Sequence, residues 1–190
     1  MGPFEFIILF FSFIYTLALT HLLFAATRMI RHRRSLVFSW PHALWMLNAL
    51  LLLICNWMSL WDFHRLKTMA LLVIVAGVAF VVVQYLICAL VAPDFADGDN
   101  LDMRAFHERE SGTYILAFAA FLPLAFVLNL AAGAGVGIAN WAHQNAIVLA
   151  MAPPILIPLF VKARWAQVGA PLVLIGVMVT FLIVYYSVIG

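Results

Sequence analysis

The chain has 190 residues, of which 67% are hydrophobic and only 9% are charged, and its mean hydropathy is +1.11. These values lie far outside the range of soluble domains and leave no room for a separate soluble domain. The apolar runs also lack the alternating polarity that the strands of a membrane barrel would show. The predicted fold class is therefore all-α: a polytopic membrane helix bundle forming one domain over residues 1–190, with six transmembrane helices of ~20 residues each.

Six apolar runs predict these helices, and the polar links between them set the boundaries. The third link begins at Pro93, and its stretch LDMRAFHERE is predicted as a short interfacial helix capped by Asp99 or Asn100. Prolines within the fourth and fifth runs are expected to kink those helices and to free backbone carbonyls. The predicted helices cover residues 4–27, 38–61, 68–91, 113–131, 141–161 and 168–189, and the predicted cytoplasmic loop covers 93–111.

Basic residues are distributed unevenly among the links. The first, third and fifth links hold eight of the ten Lys and Arg residues, and the second link holds the other two, Arg65 and Lys67. Because cytoplasmic loops carry an excess of Lys and Arg, the odd-numbered links are predicted to be cytoplasmic and both termini to lie outside. The third link is also acidic. It is expected either to neutralise part of the basic first link or to concentrate cations at a cytoplasmic mouth near Glu108.

Predicted helix 2 carries polar residues inside an apolar run. At the helical angle of about 100° per residue, they fall within about one third of the circumference. Polar side chains in hydrocarbon should face the bundle interior, pair with one another, or line water. We therefore expect the following polar stripe to face inward: His42, Trp45, Asn48, Leu52 and Asn56.

Depth along the predicted helices groups the other polar residues. The helical rise places His21 about 9 Å and His42 about 6 Å from the cytoplasmic ends of their helices. One cluster near the cytoplasmic face is therefore predicted, with Glu108 at its mouth; it consists of Thr20, His21, His42, Gln84, Tyr85 and Tyr114. A sparser outer set consists of Glu5, Asn56, Asn129, His143, Gln144 and Asn145. Cys55 and Cys88 are predicted to lie near opposite membrane faces, which would prevent a disulfide between them.

Three functions are compatible with this cluster. The leading hypothesis is a membrane protein that binds or conducts a small solute, an ion or a proton, since histidine changes charge near neutral pH and can relay protons. The first alternative is a membrane cytochrome or oxidoreductase in which His21 and His42 hold one b-type haem. The second is a non-catalytic scaffold or accessory subunit whose polar residues form interhelical or subunit hydrogen bonds worth about 1 kcal/mol each.

Motifs of other functional classes are missing from the sequence. No Ser-His-Asp set, phosphate loop, dinucleotide fingerprint, zinc spacing or calcium loop is visible. No catalytic or metal-ligating residue is therefore assigned, an enzyme is not the favoured class, and haem is the one cofactor considered. The expected partners are the lipid bilayer and further copies of the chain, with no nucleic acid.

Two parts of the chain resemble each other at an offset of about 100 residues. WPH at 40–42 opens predicted helix 2 and WAH at 141–143 opens predicted helix 5, while LLVIVAGVAFVVVQY resembles PLVLIGVMVTFLIVY. If helices 1–3 and 4–6 are related, their odd number makes them a 3+3 inverted repeat, an architecture that recurs in transporters.

Four short segments carry a resemblance to other proteins: THLL near the end of helix 1, WPHALW and NWMSLWD at the two ends of helix 2, and FHER before helix 4. They are similar to segments of small, uncharacterised six-helix bacterial membrane proteins. The resemblance covers mainly helices 1–3 and FHER. It implies a six-helix fold and a location in the bacterial inner (plasma) membrane, and no activity.

Overall fold

The computed structural model describes residues 3–61, 71–94, 102–132 and 145–186. These residues form six helices and no strand, which confirms the all-α prediction for the described part of the chain. Five of the helices are long and apolar enough to cross a membrane, and the fifth in chain order is a shorter apolar helix. The helices are α1 (Pro3–Arg31), α2 (Trp40–Ser59), α3 (Leu71–Val91), α4 (Met103–Ala132), α5 (Ala146–Phe160) and α6 (Arg164–Tyr186).

The described α5 is too short to confirm a sixth membrane span. Its 15 residues would extend about 22 Å, whereas a hydrocarbon core is about 30 Å thick. Residues 141–144, where the sequence predicts the start of this helix, lie outside the described residues. The prolines within 146–160 do not divide it, because Pro153, Pro154 and Pro158 all lie within one helix.

α4 differs most from its prediction. The interfacial helix and the fourth transmembrane helix are one continuous helix from Met103, so much of the predicted loop 93–111 is helical. Asp102 caps it, since its Oδ1 accepts hydrogen bonds from the backbone N–H groups of Arg104 and Ala105, both at 2.9 Å. The predicted caps lie outside the described residues. The prediction placed a break near Gly112, but one glycine does not interrupt a helix that is packed against its neighbours.

α2 occupies the centre of the packing. Neighbouring helices follow the order α1, α3, α4, α5, α6 around the bundle, and α2 packs mainly on α6 and also contacts α1, α3 and α4. α1 approaches α3 closely at Gly77, where a Cβ atom would lie 2.8 Å from the ring of Phe11. Small residues at helix interfaces allow such approaches in membrane bundles.

The first and third links meet at one end of the bundle. The backbone N–H of Met103 donates to the carbonyl of Val37 at 3.0 Å, just before α4 and α2 begin. Arg28, near the end of α1, forms an ion pair of 3.6 Å with Asp94, which follows α3. The acidic third link therefore does neutralise part of the basic region beside it. The side of the membrane on which this end lies, and hence the position of both termini, stays a prediction.

The outward surface of the helices is strongly apolar. Phe160, Leu72 and Phe6 are 83%, 74% and 71% exposed, whereas the interior buries aromatic residues such as Phe118. Scattered exposed apolar residues are normal in soluble proteins, but a surface covered with them fits a helix bundle surrounded by lipid. These features support a membrane protein.

The predicted 3+3 inverted repeat is not confirmed. α1 packs extensively along α3, whereas the corresponding helices α4 and α6 make little contact within the described residues. The two halves therefore pack differently. The second WxH segment of the proposed repeat, at 141–143, lies outside the described residues.

Candidate functional site

The polar stripe of α2 is buried along its whole length. Three of its residues, His42, Trp45 and Asn48, have no exposed surface, and Leu52 and Asn56 are 2% and 9% exposed. The predicted inward orientation is confirmed. The stripe faces three helices, because α2 is central: its first turns face α4, its middle faces α6 and its end faces α3.

His42 lies among aromatic rings of α4. Its ring centroid is 5.1 Å from that of Phe106, 6.0 Å from that of Tyr114 and 6.3 Å from that of His107. Neither ring nitrogen of His42 has a hydrogen-bond partner in the described part of the protein. An imidazole carries at least one N–H donor and, when neutral, one acceptor, so both groups are buried without a protein partner.

Trp45 lies one turn further along α2 and shares this environment. Its indole packs with ring centroids 5.0 Å from Phe118 and 6.1 Å from Tyr114. Its Nε1–H, which can only donate, has no partner among the described residues. Buried indole N–H groups usually find an acceptor, so this donor is unusual.

Asn48 lies one further turn along α2, and it too has an unpaired polar atom. Its Nδ2 donates to the carbonyl oxygens of Leu44 at 2.8 Å and of Pro171, on α6, at 3.0 Å. Its Oδ1, by contrast, accepts no hydrogen bond from the described residues. We refer to His42, Trp45 and Asn48 as the α2 site. Because these residues are spaced three apart, their unpaired atoms lie along one side of α2 over an axial distance of about 9 Å.

α4 and α6 close the α2 site at the end where the first and third links meet. His107 Nδ1 and the hydroxyl of Tyr114 are hydrogen-bonded, and their spacing of seven residues places them on one face of α4. His107 is 8% exposed, and Gln167, Lys162 and Glu108 lie near it. The Oε1 atom of Gln167 has no hydrogen-bond partner among the described residues. The predicted mouth residue Glu108 is exposed beside it. At this end His42 therefore lies close to His107, whose neighbour in the chain, Glu108, is on the surface.

Gln167 fixes α6 to the end of α5 beside that histidine. Its Nε2 donates to the carbonyls of Pro158 at 3.1 Å and Val161 at 2.9 Å, at the end of α5 where backbone carbonyls lack helical partners. Neither His107 nor Gln167 was among the predicted site residues. If α4 is predicted to begin at Met103, the seven-residue spacing places His107 on the same helix face as Tyr114, and this would have identified His107.

A second buried polar network joins α2 to α3. Asn56 Nδ2 donates to Gln84 Oε1 at 2.7 Å, and Gln84 Nε2 donates to Cys88 Sγ at 3.6 Å. The thiol of Cys88 in turn lies 4.0 Å from the carbonyl of Ala49. Tyr15, on α1, is buried near Cys88 and its hydroxyl has no partner among the described residues. In this network the two amides satisfy each other.

The network corrects two depth predictions. Asn56 was placed in the outer third and Gln84 in the cytoplasmic third, yet they are hydrogen-bonded. The contact of Cys88 with Ala49 shows that α3 ends about 9 Å deeper than α2 begins, whereas the prediction aligned both ends. Cys55 lies six residues after Ala49, so its depth differs from that of Cys88 by only about 9 Å. The prediction that the two cysteines lie near opposite membrane faces was therefore wrong.

The predicted cytoplasmic cluster divides into separate contacts. His21 Nε2 is hydrogen-bonded to the Tyr85 hydroxyl at 3.1 Å on an exposed side of α1, while Gln84 is buried facing α2. Adjacent residues of a helix point about 100° apart, so Gln84 and Tyr85 cannot both face α2. Thr20 bonds to a carbonyl of its own helix. Two pairs of the predicted cluster are therefore brought together, His21 with Tyr85 and His42 with Tyr114.

The outer set is described only in part. Asn129 Nδ2 donates to Asn145 Oδ1 at 3.0 Å, which joins α4 to the residue preceding α5. His143 and Gln144 lie outside the described residues. Glu5 is exposed near the start of α1.

The two histidines of the haem alternative have different surroundings. His21 is exposed beside Tyr85, whereas His42 is fully buried against α4, and no described contact joins them. Within residues 3–61, 71–94, 102–132 and 145–186, no group of three or more His, Cys, Asp or Glu residues could hold a metal ion.

Comparison with known proteins identifies no relative. No family model matches the sequence, and neither the curated proteins nor the solved structures searched contain a significant match.

Proposed function

We propose that this chain is an integral membrane protein that binds or conducts a small solute, an ion or a proton at the α2 site. The observation that carries the proposal is a row of buried polar atoms that have no partner among the described residues: both ring nitrogens of His42, Nε1 of Trp45 and Oδ1 of Asn48. A buried polar group without a hydrogen bond costs about 1–3 kcal/mol, so three such residues on successive turns are expensive unless something binds them.

The walls of the α2 site also favour binding. Ligand sites are mostly apolar and aromatic, with a few polar groups that fix orientation. Phe106, Phe118 and Tyr114 provide such walls around His42 and Trp45. Ionisable residues within a membrane are rare, and they mark substrate and ion pathways.

Access would come from the end of the bundle that carries the charged links. His107 covers the α2 site there, with the exposed Glu108 beside it. A change of the His107 side-chain rotamer would connect the α2 site to that surface. In the orientation predicted from the basic links this is the cytoplasmic side, in a bacterial inner membrane with both termini outside.

Flux into sealed liposomes tests the proposal. Wild-type protein should carry a proton, ion or small solute faster than protein-free liposomes, and His42→Phe should abolish the difference because it keeps the ring and removes both nitrogens. His32→Phe is the matched control, since His32 is exposed and its ring bonds to a carbonyl of α1. If His42→Phe and His32→Phe behave like the wild type, the α2 site has no role in transport.

The scaffold alternative is favoured by a different observation. Asn48 is fully buried and cannot reach another subunit. The His21–Tyr85 pair, however, presents polar groups on an exposed side of α1 and α3, where a second copy of the chain could bind them. Cross-linked dimers that are lost in His21→Leu, but kept in His32→Leu, would support this role.

A further inference from the structure

The α2 site offers donors and acceptors in a mixed set. Trp45 Nε1–H is a donor, Asn48 Oδ1 is an acceptor, and neutral His42 supplies one of each. A bound cation would use only the acceptors and would be repelled by the indole N–H. A bound anion would use only the donors and would be repelled by the amide oxygen.

The surroundings of the α2 site lack a compensating charge. Among the described residues, the buried polar side chains are Ser, His, Asn and Gln, and no Asp, Glu, Lys or Arg is among them. An ion in a low-dielectric interior needs an opposite charge or a dense shell of ligands to offset its lost hydration. His107, the ionisable side chain beside His42, already bonds to Tyr114 through Nδ1.

We infer that the α2 site binds an uncharged polar solute that has both hydrogen-bond donors and acceptors, such as a small amide or polyol, rather than an ion. This inference rests on the proposed function. The donors and acceptors lie along one side of α2 over about 9 Å, so a short extended molecule could engage two or three of them. The rings of Phe118 and Phe106 would contact its apolar edges.

Two assays of the purified full-length protein test the inference. The first measures the entry of urea and glycerol into sealed liposomes by light scattering, and of potassium, chloride and protons by fluorescent reporters. The second measures thermal unfolding in detergent with each solute, because a ligand that binds only the folded state raises the melting temperature even when it is not transported.

His42→Phe and Trp45→Phe are the informative variants, because each keeps an aromatic side chain and removes hydrogen-bonding nitrogen. We expect either substitution to slow the entry of urea or glycerol, or to weaken its binding, by about tenfold, the effect of one lost hydrogen bond. His32→Phe and Trp57→Phe are the controls, since both residues are exposed and lie outside the α2 site.

The outcomes separate the two proposals. An effect of urea or glycerol that depends on His42 and Trp45, with unchanged ion flux, supports the inference. Ion or proton flux that depends on His42, without a solute effect, overturns the inference and leaves the proposed function standing. Raised permeability to water alone also overturns the inference, because the α2 site would then hold only water. No dependence on His42 in either assay overturns both proposals.

Discussion

Two polar regions of α2 differ in whether their buried polar atoms have hydrogen-bond partners. At the end of α2, Asn56 and Gln84 satisfy each other across the interface with α3. At its beginning, His42 and Trp45 are also buried against α4, but their ring nitrogens have no partner in the part of the chain that the structure describes. Both regions would look alike in a hydropathy plot. The first holds two helices together, whereas the second has hydrogen-bonding capacity available for a ligand.

This difference gives a way to interpret polar residues in an apolar bundle. A paired polar side chain is explained by the hydrogen bond that it makes, which is worth about 1 kcal/mol in a membrane. An unpaired one destabilises the folded state and needs another explanation, such as a bound ligand or an ordered water. Burial alone does not separate the two cases, since Asn48 is fully buried and only its oxygen is unpaired.

The largest expected effect tests whether the α2–α4 side is a packed interior. Trp45→Ala should lower the free energy of unfolding by about 3–5 kcal/mol, because it removes a large side chain that packs on Phe118 and leaves a cavity. Trp57→Ala, on the same helix, should change it by less than about 0.5 kcal/mol, since Trp57 is 57% exposed. Unfolding in detergent followed by circular dichroism measures both. Equal effects would contradict the packing of Trp45.

The next effect tests the paired region. Asn56→Leu should lower the free energy of unfolding by about 1–2 kcal/mol, because it leaves the buried Gln84 amide oxygen without its donor. Adding Gln84→Leu should then cost less than it does in the wild type, which makes the two substitutions non-additive. The same unfolding assay on the two single variants and the double variant gives the coupling. Strictly additive effects would mean that the hydrogen bond contributes nothing.

The smallest effect has the opposite sign and separates the two regions directly. His42→Phe should raise the free energy of unfolding by about 1 kcal/mol in the absence of solute, because it replaces unpaired polar atoms with apolar ones of similar shape among aromatic rings. A loss comparable to that of Asn56→Leu would show that His42 is a structural residue with a partner. In that case the comparison between the two regions would fail.

Part of the candidate site could be predicted from the sequence. The inward orientation of His42, Trp45, Asn48 and Asn56 follows from helical periodicity and from the cost of polar groups in hydrocarbon. The proximity of Tyr114 to His42 followed from the depths of the two residues. His107 was missed because the start of α4 was placed at 113, and helix boundaries are the least reliable feature of a sequence-based prediction.

The sequence by itself determined the all-helical class, the apolar outer surface and the buried face of α2, because each depends on local composition and on the fixed geometry of a helix. Only the tertiary structure decided which helix faces each part of α2. It also decided that α3 ends deeper than α2 begins, and that Asn56 bonds to Gln84 while His42 has no partner among the described residues. These facts depend on the rotation and axial position of each helix, which are set by packing between residues far apart in the chain. The unpaired row on α2 is such a fact, because it depends on which of the described side chains surround each atom.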